Sequence, residues 1–319
     1  MDYVKNNRML ALLGQRGTFG TVLCGLAGSN EKIVALSADL ARVSGLDKFI
    51  KKYPDRYLNV GIAEENAVGM AAGIADSGKI PFLTTFSNFA VMRANEFVRH
   101  FMSYMNCNVK LVGLGSGFAM ELFGTTHYGL EDIAVIRSLP NITILSPSDC
   151  MEAAKCVEAS MDIEGPVYLR LSGKMNNPII HRQDYDFVVG RAIEEHKGSA
   201  CVVFATGSMV STAVKAAEEL DKEGIGVKVV NMHTIKPFDR NVVISNRDKK
   251  VMISIEEHSK IGGLGTAVSE VLTDEGYDGR LIRMGTDDVY KKAGTYEYML
   301  GQHGLTVSNL VKTVKDNMD

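Results

Sequence analysis

Short runs of consecutive apolar, mostly β-branched residues punctuate this chain at 33–36, 81–85, 109–113, 142–145 and 167–171, separated by longer stretches with helical spacing. Runs that stay apolar on successive residues, rather than alternating, predict strands buried on both faces of a parallel sheet covered by crossover helices. A polar passage at 181–186 and 194–198 breaks the rhythm and predicts a boundary poor in strands. Runs then resume at 201–205, 227–231, 251–255 and 281–284, with helical patterns at 210–220 and 266–272 between them. The pattern predicts two α/β, doubly wound domains: a mostly parallel-sheet domain over 1–185 and a smaller one over 190–319.

Composition narrows the function classes. The 319 residues are 45% hydrophobic and 23% charged, enough for two buried cores. A formal net charge of -3 provides no basic field for nucleic acid or an anionic membrane surface. Residues 1–8 hold no apolar leader and no stretch is long and charge-free enough to span a bilayer, so the expected location is cytoplasmic. The five cysteines are scattered and never form Cys-x-x-Cys, which argues against a disulfide framework or a zinc site and for small core hydrophobes.

Candidate chemistry concentrates in 59–73, Asn-Val-Gly-Ile-Ala-Glu-Glu-Asn-Ala-Val-Gly-Met-Ala-Ala-Gly, and in Thr85-Phe86-Ser87-Asn88-Phe89. Glu64 is placed at the start of a helix whose Ala67, Val68, Ala71 and Ala72 make a face of small side chains. An acid there favours the helix dipole by about 0.3–1 kcal/mol, which by itself is ordinary. The combination with the aromatic loop after the next strand resembles the pyrimidine-binding domain of transketolases and deoxyxylulose phosphate synthases.

The resemblance implies thiamin diphosphate as cofactor. In that family the glutamate matching Glu64 hydrogen-bonds the aminopyrimidine ring nitrogen and favours the tautomer that removes the thiazolium carbon proton. Burial against aromatic walls raises a carboxyl pKa in the direction such proton sharing needs. Phe86 and Phe89 match the ring-stacking aromatics, and Met92 stands where transketolases often carry tyrosine. Asp39, in Ser-Ala-Asp-Leu at the end of the first strand, matches an aspartate that lies at the cofactor across a subunit interface. His127, in Gly-Thr-Thr-His, matches the histidine that approaches the sugar hydroxyls. Arg16 and Ser44 fall near phosphate-binding positions, with Arg42 beside them. Lys174 is the nearest substitute for a second family arginine that has no clean match in Leu169-Arg170-Leu171-Ser172-Gly173-Lys174.

Two departures concern the substrate. Phe123 replaces the aspartate of the family's Asp-Gly-x-Thr-His, and a histidine expected earlier is absent from Gly113-Leu114-Gly115-Ser116-Gly117. Branched, deoxy or sulfonated sugars are therefore open alongside ordinary ones. In the second half, 231–239 and 256–265 resemble the family's C-terminal domain, and Glu257-His258 is expected to be structural or inter-subunit.

No Gly-Asp-Gly occurs, the motif that holds Mg²⁺ with the diphosphate. The resemblance therefore implies a separate N-terminal subunit bearing that domain and the Mg²⁺ ligands, in an α2β2 assembly. The expected activity is transfer of a two-carbon ketol unit from a ketose, expected to be phosphorylated, to an aldehyde. The alternatives are a deoxyxylulose phosphate synthase-like or 2-oxoacid-decarboxylating β-subunit, and a non-catalytic regulatory subunit.

Overall fold

The computed structural model describes residues 2–173 and 175–318. Its first sheet is built from β1 (Ile33–Ser37), β2 (Tyr57–Asn59), β3 (Ile80–Phe86), β4 (Lys110–Ser116), β5 (Thr143–Leu145) and β6 (Val167–Ser172). Its second comprises β7 (Ile193–His196), β8 (Cys201–Ala205), β9 (Val227–Asn231), β11 (Val251–Ser259) and β12 (Arg280–Thr286), in the order β12-β11-β8-β9-β7. The remaining strand, β10 (Thr234–Lys236), crosses over to pair antiparallel with β5, giving the first sheet the order β10-β5-β6-β4-β3-β1-β2. All other pairings of the first sheet are parallel. Two mixed but mostly parallel α/β sheets are thus confirmed.

The nine apolar runs all become strands, and the burial of β1, β4, β6 and β8 on every residue explains their unbroken hydrophobicity. Three strands escape that pattern. β2 and β10 are three residues long, and β7, with the polar sequence Ile-Glu-Glu-His, lies inside the passage expected to lack strands. Each sits at the edge of its sheet, where one side needs no apolar cover.

The core runs through both sheets. One cluster joins Leu114, Phe118 and Leu171 with Ala205, Met209 and Val210. Buried polar groups also cross between them: Arg170 Nη2 donates to the carbonyls of Gly129 (3.1 Å) and Glu257 (3.0 Å). His181 lies between Asp149 and Glu195, while Asn231 Nδ2 donates to Glu152 and Glu195. No helix among the described residues is long and apolar enough to cross a membrane.

Candidate active site

In open parallel sheets the strand carboxyl ends collect ligand-contacting groups. Asp39 follows β1, Glu64 follows β2, Phe86 ends β3, and His127 lies in the loop after β4; these four strands are neighbours in the order β4-β3-β1-β2.

Glu64 begins the Glu64–Asp76 helix and is 2% exposed, with Ala67, Val68, Ala71 and Ala72 buried beneath it. Its Oε2 accepts a hydrogen bond from Arg93 Nη1 at 2.8 Å. Arg93 closes a π-helical turn, Phe89–Arg93, which returns its guanidinium over the Phe89 ring, 4.4 Å from the centroid. A buried carboxylate, a planar cation and an aromatic face thus meet at one point.

Phe86 and Phe89 pack edge to face with centroids 5.8 Å apart. His127 lies 5.9 Å from Phe86, 5.3 Å from Phe89 and 5.1 Å from Phe123, centroid to centroid. Asn88 Nδ2 donates to the Thr126 carbonyl at 2.6 Å, tying the β3 loop to the histidine loop. His127 Nδ1 meets Thr126 Oγ1 at 3.0 Å, leaving Nε2 without a hydrogen-bond partner among the described residues. Met92, in the same π-helical turn as Phe89, is half exposed.

Asp39 has a left-handed backbone, φ 58°, held by Asn59: the Asp39 amide donates to Asn59 Oδ1 (3.1 Å) and Asn59 Nδ2 donates to Asp39 Oδ1 (2.9 Å). Asp39 is exposed, and among the described residues its carboxylate has no hydrogen bond or ion pair with Glu64. This leaves it available to something outside the chain.

A cleft of about 550 Å³ opens beside the aromatic cluster, lined by Phe86 and Phe123, the aliphatic Leu13, Val43, Met120 and Met175, and the charged Arg16, Arg42 and Glu121. Arg16 follows a break at Gly14 (φ 72°, ψ 174°) in the Tyr3–Leu26 helical segment. Burial pushes its pKa below the usual range for arginine, but a guanidinium stays charged. Gly20 lets this helix meet the loop carrying Arg42: a Cβ there would lie 2.0 Å from the Gly45 carbonyl oxygen. Two guanidiniums on an apolar-walled cleft suit a substrate with an anionic end.

Ser44 does not join the cleft. It is wholly buried, and its hydroxyl is bonded to the Leu40 carbonyl (2.7 Å) and Thr84 Oγ1 (2.9 Å), because the chain after Arg42 turns it inward. Arg42 takes the exposed position instead. Lys174 lies outside the described residues.

The family model described as "Transketolase, pyrimidine binding domain" matches residues 14–177, and that described as "Transketolase, C-terminal domain" matches 190–310. The chain belongs to the transketolase family. It is 40% identical over 281 residues to one of the subunits of the apulose-4-phosphate transketolase of Actinobacillus succinogenes, covering 88% of this chain and 90% of that one. It is 37% identical over 302 residues to a 6-deoxy-6-sulfo-D-fructose transketolase subunit of Clostridium sp. (strain MSTE9), covering 94% and 93%. A solved split-gene transketolase, described as an inactive β4 tetramer, matches with a TM-score of 0.88 at 37% identity over 95% of this chain and 98% of that one.

Within this transketolase chain, the Gly-rich turn of the C-terminal domain leads into a helix whose first amides are taken by a carboxylate of the chain itself. Glu256 accepts from the amides of Leu264 (2.6 Å) and Gly265 (2.7 Å), so the helix N-terminus holds the chain's own carboxylate. Glu257 is buried, its pKa raised by that burial, and accepts from the Phe118 amide (2.5 Å) and the Tyr296 hydroxyl (2.6 Å). Arg93 is the site residue that sequence reading missed. Its one signal was its place four residues after Phe89, a spacing at which helical side chains meet.

Proposed function

We propose that this chain is the C-terminal subunit of a split, thiamin diphosphate-dependent transketolase. A separate N-terminal subunit would contribute the diphosphate site and the Mg²⁺ ligands, in an α2β2 assembly. The reaction is transfer of a two-carbon ketol unit from a ketose with an anionic end to an aldehyde. The observation that carries this reading is Glu64: a carboxylate almost removed from water, beside an aromatic face and already bonded to a planar N–H donor.

That donor set fits a flat aminopyrimidine. Glu64 would hydrogen-bond the ring nitrogen and share a proton with it; Phe86 and Phe89 would hold the ring, with Met92 and Asp39 at the margin. Bound thiamin diphosphate supplies an electron sink for carbanion equivalents next to a carbonyl. His127, with Nε2 open, orients or exchanges a proton with a substrate hydroxyl. Arg16, with Arg42 beside it, anchors the anionic end, and the aromatic cluster excludes water. Relatives acting on a sulfonated and a phosphorylated sugar support an anionic substrate.

The test is calorimetric binding of thiamin diphosphate with Mg²⁺ to the co-purified complex and to this chain alone, followed by ketol-transfer assays. Binding and turnover by the complex only, with Glu64→Gln abolishing turnover, support the reading. Turnover unaffected by Glu64→Gln would refute it, and pyruvate consumption with carbon dioxide release would redirect it to a decarboxylating enzyme.

A further inference from the structure

We propose that Arg93 is a built-in stand-in for the cofactor ring, occupying its place in the unassembled chain and leaving it when the cofactor loads. The inference rests on the aminopyrimidine reading of Glu64 and Phe89. Arg93 makes both contacts that reading assigns to the ring: an N–H to Glu64 Oε2 at 2.8 Å and a planar group over Phe89 at 4.4 Å. A guanidinium resembles the ring-protonated form of the pyrimidine, which Glu64 would favour, in being flat, delocalised and able to present an N–H to the carboxylate. The two cannot both hold that face of Phe89 and that oxygen.

The rest of the geometry fits a group able to leave. The Glu64 side chain is 2% exposed, whereas that of Arg93 is 41% exposed and has no other ion-pair partner among the described residues. A carboxylate so far from water is costly when unpaired, so an empty site needs a resident cation. A long, half-exposed side chain at the end of a π-helical turn meets that need and can still rotate outward, whereas one locked in the core could not. Loading then exchanges one planar donor for another, and Glu64 is never left bare. The cofactor must compete with Arg93 for its own site.

The experiment compares thiamin diphosphate binding to the complex with the partner subunit for wild type, Arg93→Met and Arg93→Lys, by calorimetry and by the rate of approach to the loaded state. Arg93→Met removes the competitor and is expected to bind about tenfold more tightly and load faster; Arg93→Lys, charged but not planar, is expected between the two. The melting temperature of the chain alone is expected to fall in Arg93→Met, because Glu64 loses its partner. Weaker or unchanged cofactor affinity in Arg93→Met, with the complex intact, would overturn the stand-in. If Arg93→Met does not fold, Arg93→Lys decides alone by the same criterion. A wild-type complex that binds no thiamin diphosphate would sink the function as well, so the two failures are distinguishable.

Discussion

Arg170 Nε donates to Asp132 Oδ2 at 2.8 Å, and neither side chain reaches water. Tyr168 also donates its hydroxyl to the same oxygen at 2.7 Å. Burial opposes the charge on Asp132, yet Arg170 and His258 hold its pKa below the usual carboxylate range. Removing the guanidinium therefore strands a buried anion. Arg170→Met is expected to cost about 3–5 kcal/mol in denaturant unfolding. Adding Asp132→Asn should recover part of that loss.

His181 couples stability to pH. Burial opposes its charge, but Asp149 and Glu195 raise its pKa to about 10. The unfolded value is about 6.5. The contribution is thus fully present below about 6.5 and is lost as pH rises toward 10, at up to about 1.4 kcal/mol per pH unit. Melting temperatures of wild type and His181→Asn measured from pH 6 to 10 should converge at the alkaline end.

Gly20 sets the spacing of the two cleft arginines. The Cβ of Gly20→Ala would meet backbone atoms of Gly45 at 2.0 and 2.5 Å, which cannot move independently of the loop. A loss of about 1–3 kcal/mol is expected by thermal unfolding. In the assembled enzyme, KM for anionic sugars should rise as Arg42 moves away from Arg16.

Phe123 is two-thirds exposed, so Phe123→Asp should change stability by no more than about 0.5 kcal/mol. The substitution places a carboxylate in a cleft lined by two guanidiniums and beside His127. On the proposed reading, kcat/KM for sugars with an anionic end should fall about tenfold, corresponding to about 1.4 kcal/mol. Steady-state kinetics with matched charged and uncharged substrates would check it.

How much the sequence revealed depended on burial and on local contact. β1, β4 and β6 were legible because both faces are covered, leaving continuous apolar runs. β2, β7 and β10 were not, because an edge strand is specified by its neighbour more than by its own residues. Glu64 could be placed because the start of its helix is encoded by adjacent residues. The inward turn of Ser44 and the bond from Arg93 to Glu64 depend on approaches across 40 and 29 residues, respectively, which no local pattern records.

β10 gives the two family segments a common fate. By reaching from the C-terminal segment to cap β5, it covers an edge that would otherwise display unpaired amides and carbonyls. Ser146 reinforces the junction by donating its amide to the His233 carbonyl at 2.7 Å. A polypeptide severed between the two segments would carry a sticky half-sheet in one fragment and a dangling strand in the other. On the proposed reading the chain would do without a covalent link to a diphosphate-binding half, while β10 ties its own two segments into one sheet.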